Sequence, residues 1–143
     1  MATRNGNAEW RGDLPSGSGK VTVGDGAWQG DYSFSSRFEE GEGTNPEELI
    51  AAAHAACYSM ALSNILAEHG HTPASVNTTA KVHLRNVDGA PTIAKIELET
   101  VGEVPDTDEE HFREHAEEAK AGCPVSRALG AVPEITLSAR LAG

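Results

Sequence analysis

The chain has 143 residues, enough for one domain that buries roughly two thirds of its unfolded surface. Hydrophobic residues make up 38% and aromatics only 5%, so the core must come from Ala, Val, Leu and Ile. A net charge of -11, from 22 acidic and 11 basic residues, repels phosphates and speaks against nucleic-acid or anionic-membrane partners.

The segment from Asn5 to Asp25 reads as a hairpin. Ala8 and Trp10, then a Gly- and Ser-rich loop from Leu14 to Gly19, then Val21 and Val23 make the pattern. That loop ends in Gly-Lys but lacks the Lys-Ser/Thr ending of a phosphate loop, so it is a plain turn. A third strand is expected over Trp28 to Phe38, where Tyr32, Phe34 and Ser36 alternate with Asp31, Ser33 and Ser35. An acidic loop, Glu39-Glu40-Gly41-Glu42-Gly43, follows it.

From Asn45 the pattern turns helical. Asn45 suits the cap, Pro46 the first helical position and Glu48 the capping-box acid, while Gly70 supplies the stop. Between Leu49 and Leu66 the stretch is nearly apolar all round, with Ala at 51, 52, 53, 55, 56 and 61, so burial on most sides is expected. Two strands come next. Val76, Thr78, Ala80, Val82 and Leu84 on one, and Ala94, Ile96, Leu98 and Thr100 on the other, alternate around an Asp88-Gly89 turn. Thr107 to Gly122 reads as a second helix, with Thr107 as cap and Glu110 three residues on. A short helix follows Pro124, and a last strand covers Glu134 to Leu141. The order βββ-α-ββ-α-β indicates an α+β fold in a single domain, residues 1–143.

No apolar run follows Met1, and His54, Ser59, Ser63 and Asn64 interrupt the longest apolar stretch. Neither a signal peptide nor a membrane span is expected, and the expected compartment is a reducing cytoplasm. There, two cysteines serve as free thiols or a redox pair rather than as a structural staple.

Cys57 on the apolar helix reads either as a small buried hydrophobe or as a nucleophile. Cys123, between Gly122 and Pro124 at the start of a short helix, sits where amide donors stabilise a thiolate. The two can form a dithiol pair in which one thiol attacks and the other resolves. Arg37 could favour the thiolate and Glu47 could fix the guanidinium, although a surface charge and a helix-dipole acid would explain them too. Ten helical residues place Glu47 and Cys57 roughly 15 Å apart along one axis. They meet only if two copies of the helix cross antiparallel, which the alanines permit, so a site using both implies a two-fold dimer. His111, Glu114 and His115 match the H-x-x-E-H pattern of a zinc peptidase class, against the simpler reading of a solvated helix face. His54 reads as a hydrogen-bonded packing residue.

Three stretches carry a resemblance: Arg37-Phe38-Glu39, the run from Gly43 to Cys57, and Ala121-Gly122-Cys123-Pro124-Val125-Ser126. Together they resemble the OsmC/Ohr family of osmotically inducible and organic hydroperoxide resistance proteins, and the Ala-His-Ala-Ala-Cys segment is closer to its OsmC branch. The resemblance implies an OsmC-like fold, with antiparallel sheets wrapped around a central buried helix in an intertwined homodimer. It also implies a cytoplasmic thiol peroxidase for organic hydroperoxides, serving stress defence without a bound cofactor or metal. By resemblance Cys57 is the peroxidatic thiol, Cys123 the resolving one, and Arg37 and Glu47 the activating pair. A lipoyl-type external dithiol is the implied reductant. A non-catalytic stress or ligand-binding protein on the same fold stands as the alternative, with the zinc hydrolase behind it.

Overall fold

In the computed structural model, which describes residues 3–143, the N-terminal alternation becomes an antiparallel meander. Strands β1 (Gly6–Arg11), β2 (Ser18–Val23) and β3 (Trp28–Tyr32) pair in that order. Gly19 lies opposite both Trp10 and Tyr32, whose ring centroids stand 5.4 Å apart over it. A Cβ at Gly19 would lie 2.5 Å from the Tyr32 ring and 2.7 Å from that of Trp10, so the close approach requires glycine. The chain divides into two compact units, Met1–Leu49 and Ile50–Gly143, and this meander belongs to the first.

The third strand is shorter than its alternation suggests. It ends at Tyr32, and the expected strand residues Phe34, Ser36, Arg37 and Phe38 form a short helix instead, α1 (Phe34–Phe38). The cause is a reciprocal serine capping box. Ser33 Oγ accepts the Ser36 N–H at 3.1 Å, and Ser36 Oγ accepts the Ser33 N–H at 2.8 Å. The same Ser36 hydroxyl donates to the Thr44 carbonyl at 2.7 Å, and Asn45 Nδ2 donates to the Ser36 carbonyl at 2.9 Å. The acidic loop is thereby fastened at both ends.

Helix α2 (Pro46–Glu68) starts as expected, with the Glu48 N–H donating to Asn45 Oδ1 at 2.8 Å. The Glu48 carboxylate takes the Thr44 hydroxyl at 2.8 Å. At its far end Gly70 adopts φ +82, the His71 N–H reaches the Leu66 carbonyl at 2.9 Å and the Gly70 N–H reaches that of Ala67 at 3.0 Å, a Schellman stop. Its burial departs from expectation. Beyond its first turn, which buries Glu47, only the stripe His54, Tyr58, Leu62 and Leu66, repeating every fourth residue, is buried, whereas Ala52, Ala53 and Ala56 are exposed and Met60 is 75% exposed. One stripe meets the core, and the apolar face behind it is uncovered within the single chain. By length and composition α2 could cross a membrane, a property that core helices share.

The second unit is a three-stranded sheet with helices packed on it. Strands β4 (Ser75–Val87) and β5 (Ala90–Glu103) form the expected hairpin, with Asp88 at φ 52 and Gly89 at φ 83 in the turn, a type I′ signature. A bulge between His83 and Leu84 pairs Leu84 with Ile93 and leaves Ala94 without a partner. Ile93 therefore takes the core position expected of Ala94, alongside Ile96 and Leu98. Helix α3 (Glu109–Gly122) is capped by Asp108 rather than Thr107, because the Asp108 carboxylate takes the His111 N–H at 2.9 Å. Phe112, Ala116 and Ala119 fill the core while Glu114, Glu117 and Glu118 face solvent. After α4 (Pro124–Ala128), strand β6 (Glu134–Leu141) joins β5 in parallel. The α3–α4 crossover returns the chain to the start of β5, which is what a parallel neighbour requires. The sheets are otherwise antiparallel, as an α+β fold demands.

Candidate active site

Arg37 and Glu47 are brought together as a two-pronged ion pair within the first unit. Arg37 Nε donates to Glu47 Oε1 at 2.9 Å and Nη2 donates to Oε2 at 3.1 Å. Glu47 is only 6% exposed, whereas the guanidinium side chain is 36% exposed and stacks 5.3 Å from the Phe38 ring centroid. A buried carboxylate that holds both prongs fixes the plane of the guanidinium and leaves its open edge available to an anion. Both residues owe their place to local structure. The serine box makes α1, which carries Arg37, and the Asn45 cap makes the first turn of α2, which carries Glu47.

Cys57 and Cys123 come together in the second unit as free thiols with their sulfurs 3.0 Å apart. Cys57 is half-buried on α2, and Cys123 is fully buried at the cap of α4. Burial pushes the Cys57 thiol up, and the adjacent Cys123 adds to this against one N–H from Val125. Cys123 moves the other way. Burial raises it, but hydrogen bonds from Cys57, from the Ser126 N–H and hydroxyl, and from the Val125 N–H outweigh burial and bring it down. The half-buried member of the pair is thus the harder to ionise, and the sealed member the easier.

The histidines fall into separate settings. His54 is fully buried, with Nε2 2.7 Å from Ser126 Oγ, and burial lowers its affinity for a proton. His111 is exposed and pairs with Asp108 at 2.8 Å, whereas His115 is buried, faces Glu118 at 3.3 Å and stacks 4.3 Å from the His69 ring. Glu114 points to solvent from the same helix. Among the described residues no three His, Cys, Asp or Glu side chains stand close enough together to hold a metal ion.

Comparison with known proteins decides the family. The model of the OsmC-like protein family matches residues 39–138. The chain is 50% identical over 139 residues to Peroxiredoxin OsmC of Escherichia coli K12, covering 96% of each. The chain belongs to the OsmC-like family. It is 31% identical over 113 residues to the organic hydroperoxide resistance protein OhrB of Bacillus subtilis, covering 78% of this chain and 81% of that one. The crystal structure of that OhrB superposes with a TM-score of 0.76 at 26% identity, covering 95% of this chain and 98% of that one. The identities of 50% and 31% put the chain on the OsmC side of the family.

In this OsmC-like chain Ser126 is a further neighbour of the thiol pair. Cys-Pro-Val-Ser puts a hydroxyl three residues after the cap cysteine, the position from which a capping-box side chain reaches back. That spacing was the available signal. The link from Ser126 to His54, 72 residues earlier, has none.

Proposed function

We propose that this OsmC-like protein is a thiol peroxidase that reduces organic hydroperoxides in oxidative and osmotic stress defence. The observation that carries this reading is the thiol pair: an accessible Cys57 with a sealed Cys123 3.0 Å behind it. A hydroperoxide can meet only the first, and the second is placed to close on whatever the first becomes. Cys57 thiolate attacks the terminal oxygen of ROOH, the O–O bond breaks, and the alkoxide takes a proton to leave as ROH. Cys57 is then a sulfenic acid. The Cys123 sulfur attacks the Cys57 sulfur, the S–O bond breaks, hydroxide leaves with the thiol proton as water, and a disulfide forms. Two exchanges with an external dithiol of the lipoyl type restore both thiols.

Burial pushes the Cys57 thiol above its ordinary value, so its activation at neutral pH calls for a cation. Arg37, held by Glu47, fills that role in this proposal and also polarises the departing oxygen. Helix α2 is continuous from Pro46 to Glu68, which keeps Glu47 and Cys57 of one copy roughly 15 Å apart. The uncovered face of Ala52, Ala53, Ala56 and Met60 suits a second α2 crossing it, and the functional unit is therefore a homodimer with shared sites. An apolar cavity of ≈ 150 Å³, lined by Ala8, Val21, Tyr32, Pro46 and Leu49, lies at the turn that carries Glu47 and suits an alkyl tail. The names of the relatives, peroxiredoxin and organic hydroperoxide resistance protein, agree with this substrate class. Both thiols need a reducing compartment, the cytoplasm.

The test is a thiol titration before and after a small excess of cumene hydroperoxide. Two thiols lost per chain support the dithiol mechanism, and none lost rejects it.

A further inference from the structure

The mechanism uses Cys123 but leaves unexplained the polar column behind it. His54, on the buried stripe of α2, is 0% exposed and places Nε2 2.7 Å from the oxygen of Ser126, itself buried. Ser126 stands at the third residue of the helix that Cys123 caps, one turn from that thiol, and is among the groups that bring the Cys123 thiol down. A packing histidine needs only a partner. This one selects the residue next in line to a redox thiol, and the tautomer can be assigned. Among the described residues the buried Nδ1 has no hydrogen-bond partner. An orphaned N–H is rarer in folded proteins than an under-used acceptor, so the proton belongs on Nε2 and the bare lone pair on Nδ1. His54 then donates to Ser126 Oγ, which leaves the Ser126 proton free for another acceptor.

We propose that His54 is a positioning residue that fixes the Ser126 hydroxyl as a donor to Cys123 and so readies the thiol that closes the disulfide. The proposal rests on the peroxidase reading above for its place in the cycle. In the closing step the Cys123 sulfur forms the S–S bond while its proton leaves with the hydroxide from Cys57. A hydrogen bond aimed at that sulfur stabilises the anion as the proton departs, in a site where bulk water has no access. Few other groups face the column. Burial alone bears on His54. Cys57 and the Val125 N–H face Cys123, as does Tyr58, whose hydroxyl is tied to the Ala116 carbonyl at 3.0 Å and which in turn faces Glu117.

The experiment separates the two chemical steps. Reduced protein is mixed with one equivalent of cumene hydroperoxide, following peroxide loss and disulfide formation separately, in wild type, His54→Leu, His54→Gln and Ser126→Ala. In His54→Leu and Ser126→Ala the ratio of closure rate to peroxide-consumption rate should fall about tenfold, the worth of one hydrogen bond to a charged group. His54→Gln, whose amide can donate from the same place, should recover most of the ratio, and the double variant should be no slower than either single one. An unchanged ratio in Ser126→Ala, no recovery with Gln, or additive losses would overturn the proposal. A second readout does not need peroxidase activity. In the Cys57→Ser background, thiolate absorbance should show Cys123 ionising at higher pH once His54→Leu or Ser126→Ala is added, and no movement overturns the link. A wild type that leaves the hydroperoxide intact would sink the peroxidase reading, while this titration would still judge the His54 column.

Discussion

At the scale of single residues, the proposed reaction divides the labour between the two cysteines by their accessibility and charge. Cys57→Ser should abolish peroxide turnover, because the buried Cys123 cannot meet the substrate. Cys123→Ser should instead complete about one turnover and then inactivate as the unresolved sulfenic acid climbs the oxidation ladder, which mass spectrometry would register as added oxygen. Retained steady-state activity in either variant contradicts this division. Arg37 is a sharper probe of the proposed activating pair. Lysine keeps the charge but loses the fork that matches both Glu47 oxygens, so Arg37→Lys should lower kcat/KM by roughly tenfold or more. If the variant matches wild type, the two-pronged geometry is irrelevant to catalysis. Arg37 and Glu47, which local signals explain equally as a surface charge and a helix-dipole acid, were singled out by the family resemblance, whereas the dithiol pairing of Cys57 and Cys123 was legible in the residues themselves. The His54–Ser126 contact was not, since tertiary packing alone joins residues 72 apart.

Elements show where local patterns suffice and where they compete. The limits of β6 and the Asp88–Gly89 hairpin follow from period-two alternation and a turn dipeptide, both local signals. The parallel sense of β6 depends on a crossover and could not be read that way. Tyr32, Phe34 and Ser36 satisfied a strand pattern, but two serines three apart offered the backbone a better set of hydrogen bonds. Asp108 displaced Thr107 as the cap for a related reason, since a carboxylate also serves the His111 ring. That pair makes a pH prediction. The His111 N–H and ring hold the Asp108 carboxyl below its ordinary value, so its contribution to stability is present above about pH 4 and is lost as pH falls through the lowered pKa. Asp108 holds His111 above its ordinary value, so that contribution is full below about pH 6.5 and is lost as pH rises through the raised pKa. Asp108→Ala should therefore lower Tm by a few degrees between those limits and by less on either side. A pH-independent loss in thermal melts would contradict it. Within the core, Leu62→Ala on the buried stripe of α2 should cost roughly 3 kcal/mol in denaturant unfolding, and a loss under 1 kcal/mol would mean that the stripe is not packed as described.

For the whole molecule, the proposed reaction draws on an ion pair carried by one unit and a thiol pair carried by the other. The chain carries α2 with one stripe buried and its alanine face bare, a large apolar exposure for a helix of this length. The proposed crossing of two such helices covers that face and joins Cys57 of one copy to the Arg37–Glu47 pair of its partner. Shared sites have a consequence that separate sites do not. Cys57→Ser and Glu47→Gln chains should each be close to inactive as homodimers, the second because Arg37 loses the carboxylate that fixes it. In a mixed dimer, the Cys57 of the Glu47→Gln chain would meet the intact Glu47 of the Cys57→Ser chain, which restores one site of the two. After equal mixing and exchange of subunits, half of the dimers are mixed, so about a quarter of wild-type sites should return. Steady-state hydroperoxide reduction would show this gain over the unmixed variants, and sedimentation would show a dimer throughout. If each chain built its own site, every site in the mixture would keep one defect and no activity would return.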